Sequence, residues 1–231
     1  MLLNKIKEGY QSLDSFVTML GERLPIKLKM EIGSKPGEID LQERIEEVRA
    51  VFKKHKPPIF IEDHLGSGGF ADVFSATSYY SGVTSFAIKI LRPDLLEVRK
   101  SSAIDPEAEE MRIKEVKQRF KNESYVQWDL SQSISPRVAN SVVRVFDHGE
   151  FDSRHNYRFI LMERMASTLR DFIANKENFL NTPEQLSYKS RLMEVIAWNI
   201  DSIHQEGIFH RDIKPENILF PRNPLLVGSQ E

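Results

Sequence analysis

The run Ile208-Phe209-His210-Arg211-Asp212-Ile213-Lys214-Pro215-Glu216-Asn217-Ile218-Leu219 constrains this chain more than any other stretch. It sets Asp212, Lys214 and Asn217 two and three residues apart, between a helical run and a short apolar strand. A loop built this way can aim an acceptor for a hydroxyl proton, a cation for phosphate oxygens and a metal ligand into one cleft. The blander reading is a charged turn after a helix, and three different chemistries at so close a spacing argue against it.

At 231 residues, 40% hydrophobic and 29% charged, the chain has room for one domain or one and a half and can bury a core. A net charge of −2 offers no case for nucleic acid or a membrane surface as the main partner. There are no cysteines, so neither a disulfide framework nor a thiolate metal site is expected. Met1-Leu2-Leu3-Asn4-Lys5 leads into alternating charges, and no run approaches the length of a membrane span. The expectation is a chain without a signal peptide, located in the cytoplasm.

Leu3, Ile6, Tyr10, Leu13, Phe16, Val17 and Leu20 recur at helical steps, and Ile26, Leu28, Met30 and Ile32 alternate with charged residues as a half-buried strand would. Gly33 to Gly37 reads as a turn, and a second helix carries Ile45, Val48, Val51 and Phe52 until Lys56-Pro57-Pro58 stops it. This extension, residues 1–57, carries no nameable chemistry; it is a docking element or a brace against the following sheet, the brace being preferred.

From Pro58 the pattern turns to strands. Ile59-Phe60-Ile61 leads into Leu65-Gly66-Ser67-Gly68-Gly69-Phe70-Ala71-Asp72-Val73, a glycine hairpin whose missing side chains would let backbone amides approach phosphate oxygens. Phe86-Ala87-Ile88-Lys89-Ile90-Leu91 is an apolar strand broken by one lysine, which must find an anion if buried. Arg92 to Ile104 reads as a loop, and Asp105-Pro106-Glu107 opens a helix in the order cap, proline, acid. Glu123 falls on that helix's apolar stripe with Ile113, Val116, Phe120, Gln127 and Leu130, so a partner for it is expected; Glu115 is the rival candidate. Residues 141–147 and 158–163 read as strands, 167–174 and 186–204 as helices, the last stopping at Gly207.

Together these stretches resemble the eukaryotic-type protein serine/threonine kinase family, from Leu65 to about Phe220. The resemblance rests on the glycine-rich hairpin (Ala71 in the place of the third glycine), Ala87-Ile88-Lys89, Glu123, the strand end Met162-Glu163-Arg164-Met165, and the His210-Arg211-Asp212 loop. It implies an α+β, protein kinase-like fold: a five-stranded antiparallel sheet with one long helix (lobe 58–163), then the first part of a mainly helical lobe (164–231). It implies ATP and Mg2+ as cofactors and a protein bearing Ser or Thr as substrate. Leu65, Gly66, Ser67, Gly68, Gly69, Phe70, Val73, Ala87, Lys89, Met162, Glu163 and Met165 would line the nucleotide site. Glu123 would clamp Lys89, Asp212 orient the hydroxyl, Lys214 steady the γ-phosphate and Asn217 hold magnesium. Lys214 points to the serine/threonine type, and Arg211 with Lys214 argues against small-molecule phosphotransferases of related fold.

Two departures stand out. Gln127 sits where the family usually has an apolar residue. The Asp-Phe-Gly that supplies the second metal carboxylate is absent: Ile218-Leu219-Phe220, a turn, and Leu225-Leu226-Val227 read as a hairpin, and the sequence then ends at Glu231. The expectations are therefore a weakened or inactive chain, with a non-catalytic nucleotide- or partner-binding module as the alternative. A further expectation is that the stripe Leu192 to Ile203 is exposed and takes a protein partner.

Overall fold

The computed structural model describes residues 27–28, 41–79, 85–96, 105–151, 157–174 and 183–221. The helix expected at 3–20, the turn at 33–37 and the strand at 225–227 lie outside them. Two compact units emerge, one from Met30–Ser133 with Val143–Arg164, the other from Met1–Lys29, Ile134–Val142 and Met165–Glu231. Among the described residues no helix is long and apolar enough to cross a membrane.

The first unit is built on a five-stranded antiparallel sheet, as the sequence leads one to expect. Its strands are β2 (Ile59–Ser67), β3 (Ala71–Ser78), β4 (Phe86–Leu91), β5 (Val145–Phe151) and β6 (Tyr157–Glu163), in the spatial order β2-β3-β4-β6-β5. Helix α1 (Leu41–Phe52) covers one face: Ile45, Val48, Val51 and Phe52 share a core with Ile59, Phe74, Ile88, Phe159 and Leu161. Phe52 packs edge-on to Phe159, ring centroids 5.4 Å apart, and Arg49 donates to the carbonyls of Ile61 and Glu62. Helix α2 (Pro106–Ser131) starts where its capping signal lies, the Asp105 carboxylate accepting the Glu107 amide at 3.1 Å.

Two local expectations are corrected. The stretch read as loop from Arg92 folds at Pro93–Leu96 into a 3-10 turn, residues 97–104 lying outside the described chain. The strand expected over 141–147 begins only at Val145. Ser141 is engaged in a turn, its hydroxyl donating to the Arg137 carbonyl at 2.8 Å, and the β-branched Val142, an isolated bridge residue, and Val143 are buried ahead of the strand, where periodicity cannot distinguish them from it.

In the second unit, helix α3 (Pro136–Ala139) packs beside the long helix α5 (Pro183–Gln205). Between them in sequence, β7 (Ser167–Thr168) runs into helix α4 (Leu169–Ala174). The exposed stripe expected on α5 is not found: Leu192, Ile196 and Ile203 are 6%, 4% and 1% accessible. Residues 134–142, which had no signal of their own, cover part of that face. Arg137 stacks on Trp198 at 4.6 Å and donates to Ser202 and Asp201, and Ser141 donates to Asn199 at 3.2 Å. Strand β8 (Ile218–Phe220) lies between β7 and a short strand β1 (Lys27–Leu28), antiparallel to both.

Candidate functional site

In the first unit the sheet register gathers the sequence candidates on one face. Gly66 lies opposite Val73, Val73 opposite Lys89, and Ala87 opposite Met162. Cross-strand partners share a face and side chains alternate, so Gly66, Val73, Ala87, Lys89 and Met162 all lie on the face away from the α1 core. A Cβ on Gly66 would meet no described atom within 4 Å, and its backbone is not left-handed. Among the described residues neither crowding nor a left-handed conformation requires glycine there.

Lys89 sits on a strand buried at every position and is itself 4% accessible. Its ammonium meets the Glu123 carboxylate at 2.5 Å, across from α2. As the apolar stripe predicts, the structure pairs Glu123 and leaves its rival Glu115 exposed. Each partner of this pair offsets part of the cost of burying the other, so both hold one orientation. Gln127, a turn further on, is 1% accessible and donates its amide to the Val143 carbonyl at 3.3 Å, so its polarity is met within the unit. Glu163 gives its N–H to the Arg144 carbonyl at 2.9 Å, and Met162 is buried at the sheet's end. The hairpin itself is closed by the Gly68 amide donating to the Ala71 carbonyl at 2.8 Å. Leu65 and Ser67 are exposed beside it, and Gly69 and Phe70 are half-buried at its tip.

In the second unit α5 ends one residue before Glu206, and Gly207 takes φ 75°, the left-handed turn that stops a helix. The chain then enters the loop at His210. Arg211 adopts φ 62°, a conformation that costs a non-glycine residue about 1–3 kcal/mol and collects at functional loops. Buried His210 accepts the Asp212 amide on Nδ1 at 3.3 Å, a contact that holds the loop and that sequence reading assigned no role. Met165 opens this unit ahead of β7 and is half-buried.

Asp212, Lys214 and Asn217 do come together. The Lys214 ammonium lies 2.8 Å from Asp212 Oδ2, and the Asn217 amide donates to Asp212 Oδ2 at 3.0 Å and to its carbonyl at 2.9 Å. Desolvation pushes the Asp212 carboxyl up, but the hydrogen bond and charge of Lys214, with help from Asn217 and His210, hold it below its ordinary value. Glu216 is likewise lowered, by a backbone hydrogen bond and by Arg170, whose guanidinium lies 2.7 Å away.

Asn217 is fully buried, and its Oδ1 has no partner among the described residues. A buried carbonyl oxygen without a donor is costly, and beside an ionised carboxylate it is the hard oxygen a magnesium ion accepts. Among the described residues no group of three or more acidic, histidine or cysteine side chains is arranged to hold a metal ion. Magnesium in phosphoryl-transfer sites typically takes one or two protein oxygens and completes its shell with phosphate and water, so the residues present fit it.

Comparison with known proteins agrees with this layout. The family model described as "Protein kinase domain" matches residues 60–226. A probable serine/threonine-protein kinase of Corynebacterium efficiens is 32% identical over 157 residues, covering 67% of this chain and 20% of the relative. The probable serine/threonine-protein kinase PknB of Corynebacterium glutamicum is 33% identical over the same span and shares. One from Streptomyces coelicolor is 31% identical over 162 residues, 69% of this chain and 20% of the relative. The chain spans about a fifth of the length of these curated relatives.

Proposed function

The chain belongs to the protein kinase domain family, and we propose that it serves ATP-dependent phosphorylation of serine or threonine hydroxyls on a protein substrate, in the cytoplasm. The observation that carries this reading is the buried Lys89–Glu123 pair on the sheet face shared with Gly66 and Val73. A structural ion pair alone is an expensive use of a buried lysine. One whose ammonium is oriented beside a glycine hairpin suits the α- and β-phosphates of ATP.

On this reading the backbone of Leu65 to Phe70 covers the phosphates, while Val73, Ala87 and Met162 contact the adenine and Glu163 and Met165 offer it backbone groups. Asp212 orients the substrate hydroxyl and accepts its proton, for which its lowered pKa keeps it ionised. Lys214 balances charge on the transferring group. Asn217 Oδ1, with Asp212 nearby, would hold magnesium, which when bound neutralises charge on the β- and γ-phosphates. The serine/threonine assignment rests on Lys214 and on the names of the relatives.

A second reading, a nucleotide-binding module without turnover, is favoured by one observation: among the described residues there is no group of three or more acidic, histidine or cysteine side chains that could hold a metal ion. Two measurements separate them, the affinity of the chain for Mg-ATP and transfer of labelled phosphate to a generic protein substrate. Binding with transfer, transfer lost in Asp212→Asn and binding lost in Lys89→Met, supports the kinase. Binding without transfer supports the module, and no binding at all rejects both.

A further inference from the structure

The glycine hairpin has a second face, and a polar network that no role yet explains sits there. Ser67 and Asp72 are directly opposed across β2 and β3, and the Ser67 hydroxyl donates to Asp72 Oδ1 at 2.7 Å. The same hydroxyl lies 3.0 Å from Nε2 of His64, whose ring packs edge-on against Phe74 at 5.4 Å. Asp72 pairs with Ile90 and alternates with Val73, so it points to the α1 side of the sheet, away from Lys89.

Asp72 is a carboxylate only 3% accessible, two residues from the hairpin tip. An isolated charge there would be costly, and a second buried residue compensates it: Arg92, 2% accessible. The Arg92 guanidinium donates to both carboxylate oxygens of Asp94, at 2.7 and 3.3 Å, and its backbone N–H donates to the Phe70 carbonyl at 2.9 Å. The hydrogen bond to Asp94 raises the Arg92 pKa against burial, and the charges of Asp94 and then Asp72 raise it further. Arg92 thus ties the tip from the backbone side, while Asp72 ties Ser67 from the other strand.

We propose that Asp72, through Ser67 and in the field of Arg92, is a positioning residue that fastens the glycine hairpin from its far face and so sets the affinity for the phosphates of the nucleotide. The Ser67 side chain is committed to this latch, leaving the hairpin's backbone as the part offered to a ligand. Glycines make the hairpin permissive and therefore entropically costly to order on binding. A charge-assisted hydrogen bond across its base removes part of that cost in advance. The inference rests on the nucleotide-binding reading above, and its test has an arm that does not.

The experiment compares wild type with Ser67→Ala, Asp72→Ala, the double variant and Ser67→Thr. It reads the Kd for Mg-ATP and the amide exchange rate at Gly68, whose N–H closes the turn. Each single variant should weaken ATP binding about tenfold and speed Gly68 exchange about as much, the loss of one charge-assisted bond. The double variant should be no worse than either single, because both remove the same link. Ser67→Thr, which keeps a hydroxyl, should lose less than Ser67→Ala on both readouts. Where turnover is measurable, KM for ATP should rise with kcat little changed. Unchanged Kd and exchange in folded Ser67→Ala would overturn the latch, as would fully additive losses. If wild type fails to bind ATP while exchange rises in the variants, the nucleotide reading falls and the fastening of the hairpin stands.

Discussion

Lys89 and Glu123 are each almost fully enclosed, so each is tolerable only because of the other. Removing one partner strands a charge, which typically costs about 3–5 kcal/mol, whereas replacing both by apolar groups can be close to neutral. Glu123→Ala should therefore destabilise the first unit by about 3 kcal/mol, and Lys89→Met with Glu123→Leu by clearly less; chemical denaturation of both variants checks this. Asp212 behaves differently because its pKa is lowered in the folded chain from an ordinary 3.8. A depressed carboxyl contributes stability that is fully present above its unfolded value and is lost as pH falls through the folded one. Acid titration of wild type against Asp212→Asn should show a difference that persists to about pH 4 and fades only below it. A difference that disappears between about pH 7 and pH 5 would contradict that assignment. The residue types at 89, 212, 214 and 217 were legible from sequence. So was Glu123, which the apolar stripe of its helix favoured over its rival Glu115, and the packing of that helix on the sheet pairs it with Lys89.

At the scale of elements, α1 belongs energetically to the sheet it covers. Phe52 is fully buried and touches Phe151, Tyr157 and Phe159. Phe52→Ala should cost about 3–5 kcal/mol through lost transfer energy and the cavity left behind, read as a lowered midpoint in urea. A boundary drawn before residue 58 would thus cut through a core, even though the Lys56-Pro57-Pro58 signal for ending the helix is correct. Helix α2 offers a smaller test at its start. Asp105→Ala removes the acceptor for the Glu107 amide and should cost about 1 kcal/mol, with early loss of helix signal on heating. Cap, proline and acid could be read directly because they act within a few residues. The late start of β5 at Val145 could not, since buried β-branched residues look alike within a strand and just ahead of one.

For the whole molecule, the proposed function makes ligand binding a stability measurement. Mg-ATP at about one hundred times its Kd should stabilise the folded chain by about 2.7 kcal/mol, seen as a rise in Tm that shrinks when EDTA removes the metal. Lys89→Met should abolish the shift. A shift that is insensitive to EDTA favours the nucleotide-binding module over the kinase.

By itself the sequence determined the individual strands, the glycine hairpin, the long capped helix and the loop bearing Asp212, Lys214 and Asn217, while the single five-stranded sheet was what the family resemblance implied. Those features depend on periodicity, glycine and proline chemistry and short-range spacing, which a linear string carries in full. Only the tertiary structure decided that residues 134–142 cover the stripe on α5, that β1 joins β8, and that Asp72 turns to the far face of the hairpin. These depend on which residues distant in sequence meet, and strand register and helix facing fix that choice through the whole packed core rather than through any local signal.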